Sequence, residues 1–470
     1  VKLATAAVLA TATIGGVASA AQDWGQKAQD DLAHHSEQQF GFSQPLESSS
    51  DRQVTAAQAQ QDPTSLVTLA KGLKARVVAT TSADSVSPDM IALFPNETNP
   101  RTIIECNEEG TNKAGLLRID IATGGVDTLL RGTSSCDGVR RTPWGTAVFN
   151  EEVGTAPQGR VYELLNPTTA PTGTTLDRAT GTFTGPGAAN YAARPALGRL
   201  AFEGMGMLPS GVTYYGDENR PSNGTPGGAL FKFVPTAPWS VGSAPIATLA
   251  SSPYAAGKVY GMKLGAGSNT GQGSNTGRGT WVPMGASGDA TDVNLRTAAA
   301  TAKLTGLYRP EDIDVDLASV GDGRARICGN NTGNEEAHNF GETWCLTDGT
   351  LAEAATAGSV PELQYLVMGS PEFNMPDNIA YQAGTGNWVV HEDAETTFER
   401  PHNNDLWDCL DDGADADLLS DGCVRMGTLN DLTAEWTGGI FDATGTHFYV
   451  SVQHNISGVG VILDITGFKH

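Results

Sequence analysis

From about residue 64 onward, apolar residues come in short runs cut by Gly, Pro, Asn and Asp. LLRIDIATGGVDTLLRG (116–132), GRVYELLNP (159–167), ALFKFVP (229–235) and GVILDITG (460–467) are examples. Each run has strand length and turn residues at its borders, and Thr123-Gly124-Gly125 supplies a hairpin turn. No long apolar period of 3.6 residues occurs between 64 and 470. The pattern predicts an all-β chain.

A second class of runs ends in acids. TIIECNEEG (102–110) closes on Glu108-Glu109, and AVFNEE (147–152) on Glu151-Glu152. VTYYGDEN (212–219) closes on Asp217-Glu218, and NWVVHEDAE (387–395) on Glu392-Asp393. Glu203, Glu311 and Glu435 lie inside or beside similar runs. Neighbouring carboxylates repel unless water or a cation intervenes. Taken singly, each is a solvated strand end; taken together, they form an imperfect internal repeat, irregularly spaced and interrupted by insertions. Repeating β units of this kind predict propeller blades. In a propeller the innermost strands line a central channel, so acids at one end of several strands would meet in a small volume. Such a ring needs cations. Oxygen ligands in that number suit Ca²⁺, and carboxylates with an occasional His or Cys also suit iron or manganese.

Charge supports cations as partners. The 53 acidic and 29 basic residues leave a net charge of −24, a field that repels nucleic acid and anionic membranes. The 57 glycines and 24 prolines favour short strands and turns over long helices. Residues 1–20, VKLATAAVLATATIGGVASA, read as an export signal, with Lys2 before an apolar run and a small-residue Ala18-Ser19-Ala20 site. Residues 21–63 are polar and Gln-rich and read as a mobile leader or short helix outside the core. The propeller is placed at 64–470. No later run is long enough to span a bilayer. The expected product is an exported monomer without an integral membrane segment.

Six cysteines in an exported chain imply disulfides. Sequence neighbours close the shortest loops, which pairs Cys106 with Cys136, Cys328 with Cys345 and Cys409 with Cys423. Other chemistries have no foothold, since Cys-x-x-Cys, Gly-x-Ser-x-Gly and His-Glu-x-x-His are all missing. GSNTGQGSNTGRGTW (267–281) lacks the Gly-Lys ending of a P-loop and reads as an insertion. CLDDGADADLLSDGC (409–423) reads as a disulfide-closed acidic loop.

CDGVRRTPWGTAVFNEE, LAFEGMGMLPSGVTYYGDENRP, YRPEDIDVD, MPDNIAYQAGTGNWVVHED and AEWTGGIFDATGTHFYVSVQHN occur in the order found in PhoX-type alkaline phosphatases. The chain resembles that family from about residue 85 to 465. The resemblance implies a six-bladed propeller with Ca²⁺ and Fe³⁺ at its centre, exported and active on phosphate monoesters, with metal-bound oxygen as nucleophile. It implies metal ligation by Glu109, Glu151, Glu152, Glu203 and Glu311, to which the acid-ended runs add Asp217, Glu218 and Glu435. It assigns Arg309 and His454 to the phosphate, with Arg309 and Glu311 as the catalytic pair, and matches Asp377-Asn378 to a Pro-Asp-Asn turn. Where the family carries an iron-binding cysteine, this chain has Asn150. A calcium-dependent hydrolase of another ester class and a non-catalytic, calcium-stabilised propeller are the alternatives.

Overall fold

The short apolar runs are strands. The structure, a computed structural model, describes residues 24–219, 227–265, 276–334, 339–394, 402–413 and 417–469. The export signal therefore lies outside the described residues, as does most of the Gly-rich insertion at 267–281.

The described strands form meanders in chain order, antiparallel except where Thr174–Asp177 pairs parallel with Val126–Arg131, each starting with a strand at the centre and running outward. The central strands are Pro88–Phe94, Cys136–Arg141, Met205–Met207, Pro310–Val315, Pro376–Tyr381 and Glu435–Phe441. Each packs against the next, and Glu435–Phe441 packs back on Pro88–Phe94, which closes the ring. The third and fourth meanders share a nine-stranded sheet, because Gly277–Pro283 pairs with Glu362–Met368 at their outer edges. This is a propeller, the architecture that the acid-ended repeat predicts.

Closure uses both ends of the chain. Lys74–Thr80 adds an outer strand to the last sheet by pairing with Val461–Thr466. Val67–Leu69 does the same for the preceding sheet through Cys423–Leu429. The leader takes part as well, against the expectation that it lies outside the core. Leu32, Phe40, Phe42, Val54, Ala59 and Leu66 are buried in one cluster with Trp436, Phe448 and Ile465. Its helices Trp24–His34 and Ala56–Gln61 space these few apolar residues onto the last two sheets. Each large side chain so buried contributes roughly 1.5–3 kcal/mol. A Gln-rich composition hid that, because so small a number of anchors sets no period.

The Thr-Pro-Trp-Gly-Thr motif is a turn far from the acids. It joins Cys136–Arg141 to Ala147–Glu151, with Gly145 at φ 86° and the Thr142 N–H donating to the Thr146 carbonyl at 2.9 Å. Trp144 is fully buried, and its Nε1 donates to Glu163 Oε1 at 2.7 Å. Thr146 and Arg194 complete the hold on Glu163. The motif locks the hairpin that carries Glu151 and Glu152 at its other end.

Cys106–Cys136, Cys328–Cys345 and Cys409–Cys423 are all bonded, the pairing expected from sequence proximity, and no cysteine is free. Thiol titration of secreted protein under denaturing conditions should find no free sulfhydryl; two or more would contradict this pairing.

Candidate metal centre

Each central strand begins with an acid. Asp89, Asp137, Glu311 and Asp377 are the second residues of their strands, Glu435 is the first of its own, and Glu203 stands two residues before Met205. In four of the strands the register with the neighbouring strand slips at this point, between Pro88 and Ile91, Cys136 and Val139, Pro310 and Ile313, and Pro376 and Ile379. A bulge inserts a residue and re-aims its side chain. Here the slip falls beside the acid, and the acids of separate strands converge.

The strand that follows each central strand returns antiparallel, so its end lies beside that acid. Five meanders tie the two ends together with one repeated backbone hydrogen bond. The N–H of Glu108, Glu152, Glu218, Thr332 and Asp393 donates to the carbonyl of Ser87, Ser135, Ala201, Arg309 and Met375, respectively, at 2.8–3.1 Å. Each acceptor stands two residues before the acid of its central strand. Ser135, Arg309 and Met375 adopt φ between 43° and 52° to make the connection. Left-handed backbone at a non-glycine residue costs on the order of 1 kcal/mol, so its recurrence marks a built feature.

Strand alternation separates the paired acids. Glu151, the last strand residue, is buried against its own sheet, where Arg178 Nε (2.6 Å), Tyr162 Oη (3.1 Å) and the Ser134 N–H (3.0 Å) bind it. Glu152 faces the channel. Asp217 is gripped by Arg296 through two bonds of 2.7 and 2.8 Å, and Glu218 faces inward. Glu392 accepts from the Asn374 N–H, the Asp405 N–H and Trp407 Nε1, while Asp393 faces the channel. In the first meander the outward position is Asn107, bonded to the Ser87 N–H and the Ala114 carbonyl. Glu108 is therefore the inward residue, and Glu109 lies at the rim near His454. The sequence-based assignments of Glu109, Glu151 and Asp217 thus differ from the placement: Glu109 is peripheral and the other two are anchors, because only alternate residues of a strand share a face. Glu152, Glu203, Glu218, Glu311 and Glu435 do converge.

Three linked trios have carboxylate oxygens within 4.8 Å of one another: Asp137, Glu152 and Glu203; Glu203, Glu311 and Asp377; and Asp377, Asp393 and Glu435. Asp89 and Asp137, which the sequence reading missed, sit at strand starts rather than strand ends. Their signal was the recurring Pro-acid or Cys-acid pair in Pro88-Asp89, Cys136-Asp137, Pro310-Glu311 and Pro376-Asp377.

Charge compensation is thin. Burial, with Asp137, Glu108 and Glu435 adding to it, holds Asp89 well above the usual carboxylate range. Burial and the neighbours Glu152 and Glu108 do the same to Asp137, whose Oδ1 is buried with no partner. Burial and Asp137 raise Glu203. Glu108 is pushed to about 7 by burial and then by Glu435. Glu311 also reaches about 7: burial raises it, Arg309 opposes, and Glu218 raises it further. Arg309 gives Nε to Glu218 at 2.7 Å and approaches Glu311 at 3.3 Å, and its Nη1 is buried without a partner. His454 is exposed at the rim, with Nδ1 3.3 Å from Glu435, whose hydrogen bond raises the imidazole pKa. Clustered, partly unsatisfied carboxylates fit hard divalent cations.

A profile for alkaline phosphatase PhoX matches residues 128–455. The chain belongs to the alkaline phosphatase PhoX family. The solved structure of Pseudomonas fluorescens PhoX in complex with vanadate, a transition state analogue, has a TM-score of 0.60 at 15% identity, over 90% of this chain and 100% of that one. That likeness establishes the fold. A gluconolactonase from Xanthomonas campestris (TM-score 0.41, 11% identity, 89% and 96% covered) and the apo soluble aldose sugar dehydrogenase from Escherichia coli (0.40, 11%, 84% and 99%) are more distant. No curated protein sequence matches the chain.

In this family member Asn150 is a fastener. Its Oδ1 accepts the Gly138 N–H at 3.0 Å and its Nδ2 donates to the Glu203 carbonyl at 2.7 Å. It therefore pins the backbone beside two members of one carboxylate trio. With every cysteine in a disulfide, the cluster contains no thiolate.

The raised carboxyls carry a pH signature. A carboxyl whose folded pKa lies above its unfolded value of roughly 4.3 stabilises the fold fully below that value, and loses the contribution as pH rises through the folded pKa. For Glu108 and Glu311 the window runs from about 4.3 to about 7. Chelator-treated protein should therefore lose thermal midpoint between about pH 4 and 7, and saturating Ca²⁺ should restore it. A midpoint independent of both pH and Ca²⁺ would mean that the acids do not confront one another.

Proposed function

We propose that the chain is an exported phosphomonoesterase that works at the acid-lined end of its channel. The observation that carries the reading is Arg309. A guanidinium with a buried, partnerless Nη1, set among carboxylates that need cations, supplies a donor for an anion where only a metal-bridged anion would be tolerated. A calcium site that served only rigidity would have no use for it.

Glu152, Glu203, Glu311, Asp377, Asp393 and Glu435 would hold Ca²⁺, with Asp137 closing the first trio. Bound cations would neutralise the phosphate oxygens and make a bound water more acidic. Arg309 orients the phosphoryl group through Nη1 while Glu218 fixes the other side of its fork. Thr332 donates to Glu311 and holds that carboxylate in place. With charge neutralisation and positioning supplied, little covalent work remains for the protein. Iron bound here would have carboxylate ligands, which are hard donors suited to the ferric state. The three disulfides support an oxidising, exported location. No helix among the described residues is long and apolar enough to cross a membrane. The strongly acidic chain argues for phosphate esters over nucleic acid as substrate, and we assign it as a monomer.

The holoenzyme should hydrolyse a simple aryl phosphate at neutral to alkaline pH with Ca²⁺ present. Arg309→Ala should keep its metal but lose about 2–4 kcal/mol of transition-state stabilisation, the scale of one preorganised donor. Glu311→Gln should lose metal and activity together. No hydrolysis by wild type, even with iron supplied, would leave a calcium-stabilised binding propeller; a fully active Arg309→Ala would remove that residue from the site. Iron-loaded protein should lack the intense visible band of thiolate-to-iron charge transfer, because the cysteines are all bonded. A strong band would require one of the disulfides to have opened.

A further inference from the structure

We infer that Arg296 is a positioning residue that aims Arg309 at the phosphate by holding Glu218. The inference rests on the reading of Arg309 as the phosphate donor. Arg296 comes from the helix Leu295–Ala302, which interrupts the path between the third and fourth meanders. The helix is capped by Asn294, whose side chain accepts the Thr297 N–H at 3.0 Å. Leu295 and Ala299 root it in the same core cluster as Phe202 and Tyr215. Phe202 immediately precedes Glu203, and Tyr215 stands two residues before Asp217.

From this base the guanidinium reaches the channel mouth from outside. Nε and Nη2 clamp Asp217, and Nη2 also donates to the Glu218 carbonyl at 2.6 Å. The other side is kept clear by Gly154, where a Cβ would lie 2.5 Å from Arg296 Nη1. Arg296 thus spans the ends of the strands that carry Glu152 and Glu218. Among the described residues it makes no hydrogen bond to Arg309 or to the carboxylate trios; its charge reaches Glu218 and Glu152, and its one direct hold on the Arg309 partner is the Glu218 backbone carbonyl.

That backbone matters because Arg309 is shared. Its Nε is 2.7 Å from Glu218 and 3.3 Å from Glu311. If Glu218 loosens, the guanidinium falls toward Glu311. The fall would turn the free Nη1 away and would engage a carboxylate that belongs to a trio. Arg309 also has a left-handed backbone (φ 52°), so its aim depends on these side-chain holds rather than on a relaxed main chain.

The test measures inorganic phosphate binding to the Ca²⁺-loaded protein by calorimetry, alongside metal content and the KM and kcat for an aryl phosphate. Arg296→Ala should weaken phosphate binding and raise KM on the order of tenfold, the lower end of what removing an orienting group costs, with kcat less affected and metal content unchanged. Arg296→Lys keeps the charge without the fork and should fall between the two. In an Arg309→Ala background, Arg296→Ala should weaken phosphate binding no further. The same fold loss with and without Arg309 would overturn the inference, as would unchanged phosphate binding or a loss proportional to lost metal. If Arg309→Ala alone binds phosphate as wild type does, the donor reading itself falls, and this inference with it.

Discussion

Carboxylates brought together in a closed channel repel one another, and the rest of this molecule is arranged around that repulsion. Two like charges about 4 Å apart cost roughly 1 kcal/mol in water and about 4 kcal/mol at the effective dielectric of a protein surface. The trios here hold oxygens within 4.8 Å and share members, so several such pairs act at once. Their sum is comparable with the ~5–15 kcal/mol that separates a folded domain from its unfolded chain. Protons or cations must therefore occupy the centre. At neutral to alkaline pH, protons are scarce and cations are the remaining solution.

Bringing the acids together takes covalent, backbone and side-chain devices in concert. Cys106–Cys136 ties the first two meanders beside Asp137. The repeated hydrogen bond from the returning strand end holds five of the pairs of ends in register. In two of the pairs the outward acid is neutralised by an arginine, Arg178 for Glu151 and Arg296 for Asp217. In these two pairs a doubled acid is thus one anchor and one channel residue. The anchor's partner stabilises the strand end, which lets the second acid stay where its own charge would not place it.

The same economy governs the cation. Among the described residues of the centre, Arg309 offers a guanidinium to the channel, and two carboxylates already compete for it. A phosphate donor must keep some hydrogen-bonding capacity unused, and a buried Arg does so only when its partners are fixed. That requirement links an insertion helix, through Arg296 and Glu218, to the chemistry at the axis. The proposed role of Arg309 thus makes substrate affinity depend on an element outside the propeller repeat.

Short apolar runs, turn residues and cysteine order in the chain sufficed for the all-β class, the propeller and the three disulfides, because strand alternation and loop closure are local properties. The recurrent acids also announced a carboxylate cluster that could bind metal. Local pattern did not say which acid of a pair turns inward, since that depends on where each strand stops relative to its neighbour. Glu151 and Glu152 are equivalent by composition, and only the register Cys136 to Glu151 assigns one to Arg178 and the other to the channel. Asp89 and Asp137 were hidden for the same reason: they stand at a register slip near a strand start, not at a strand end. Nor could composition foresee that Leu32, Phe40 and Phe42 would bind the polar leader to the last sheets. The sequence by itself determined which residues could carry the charge; the ring's closure determined which of them must share one space, because only closure brings residues from separate meanders to the same axis.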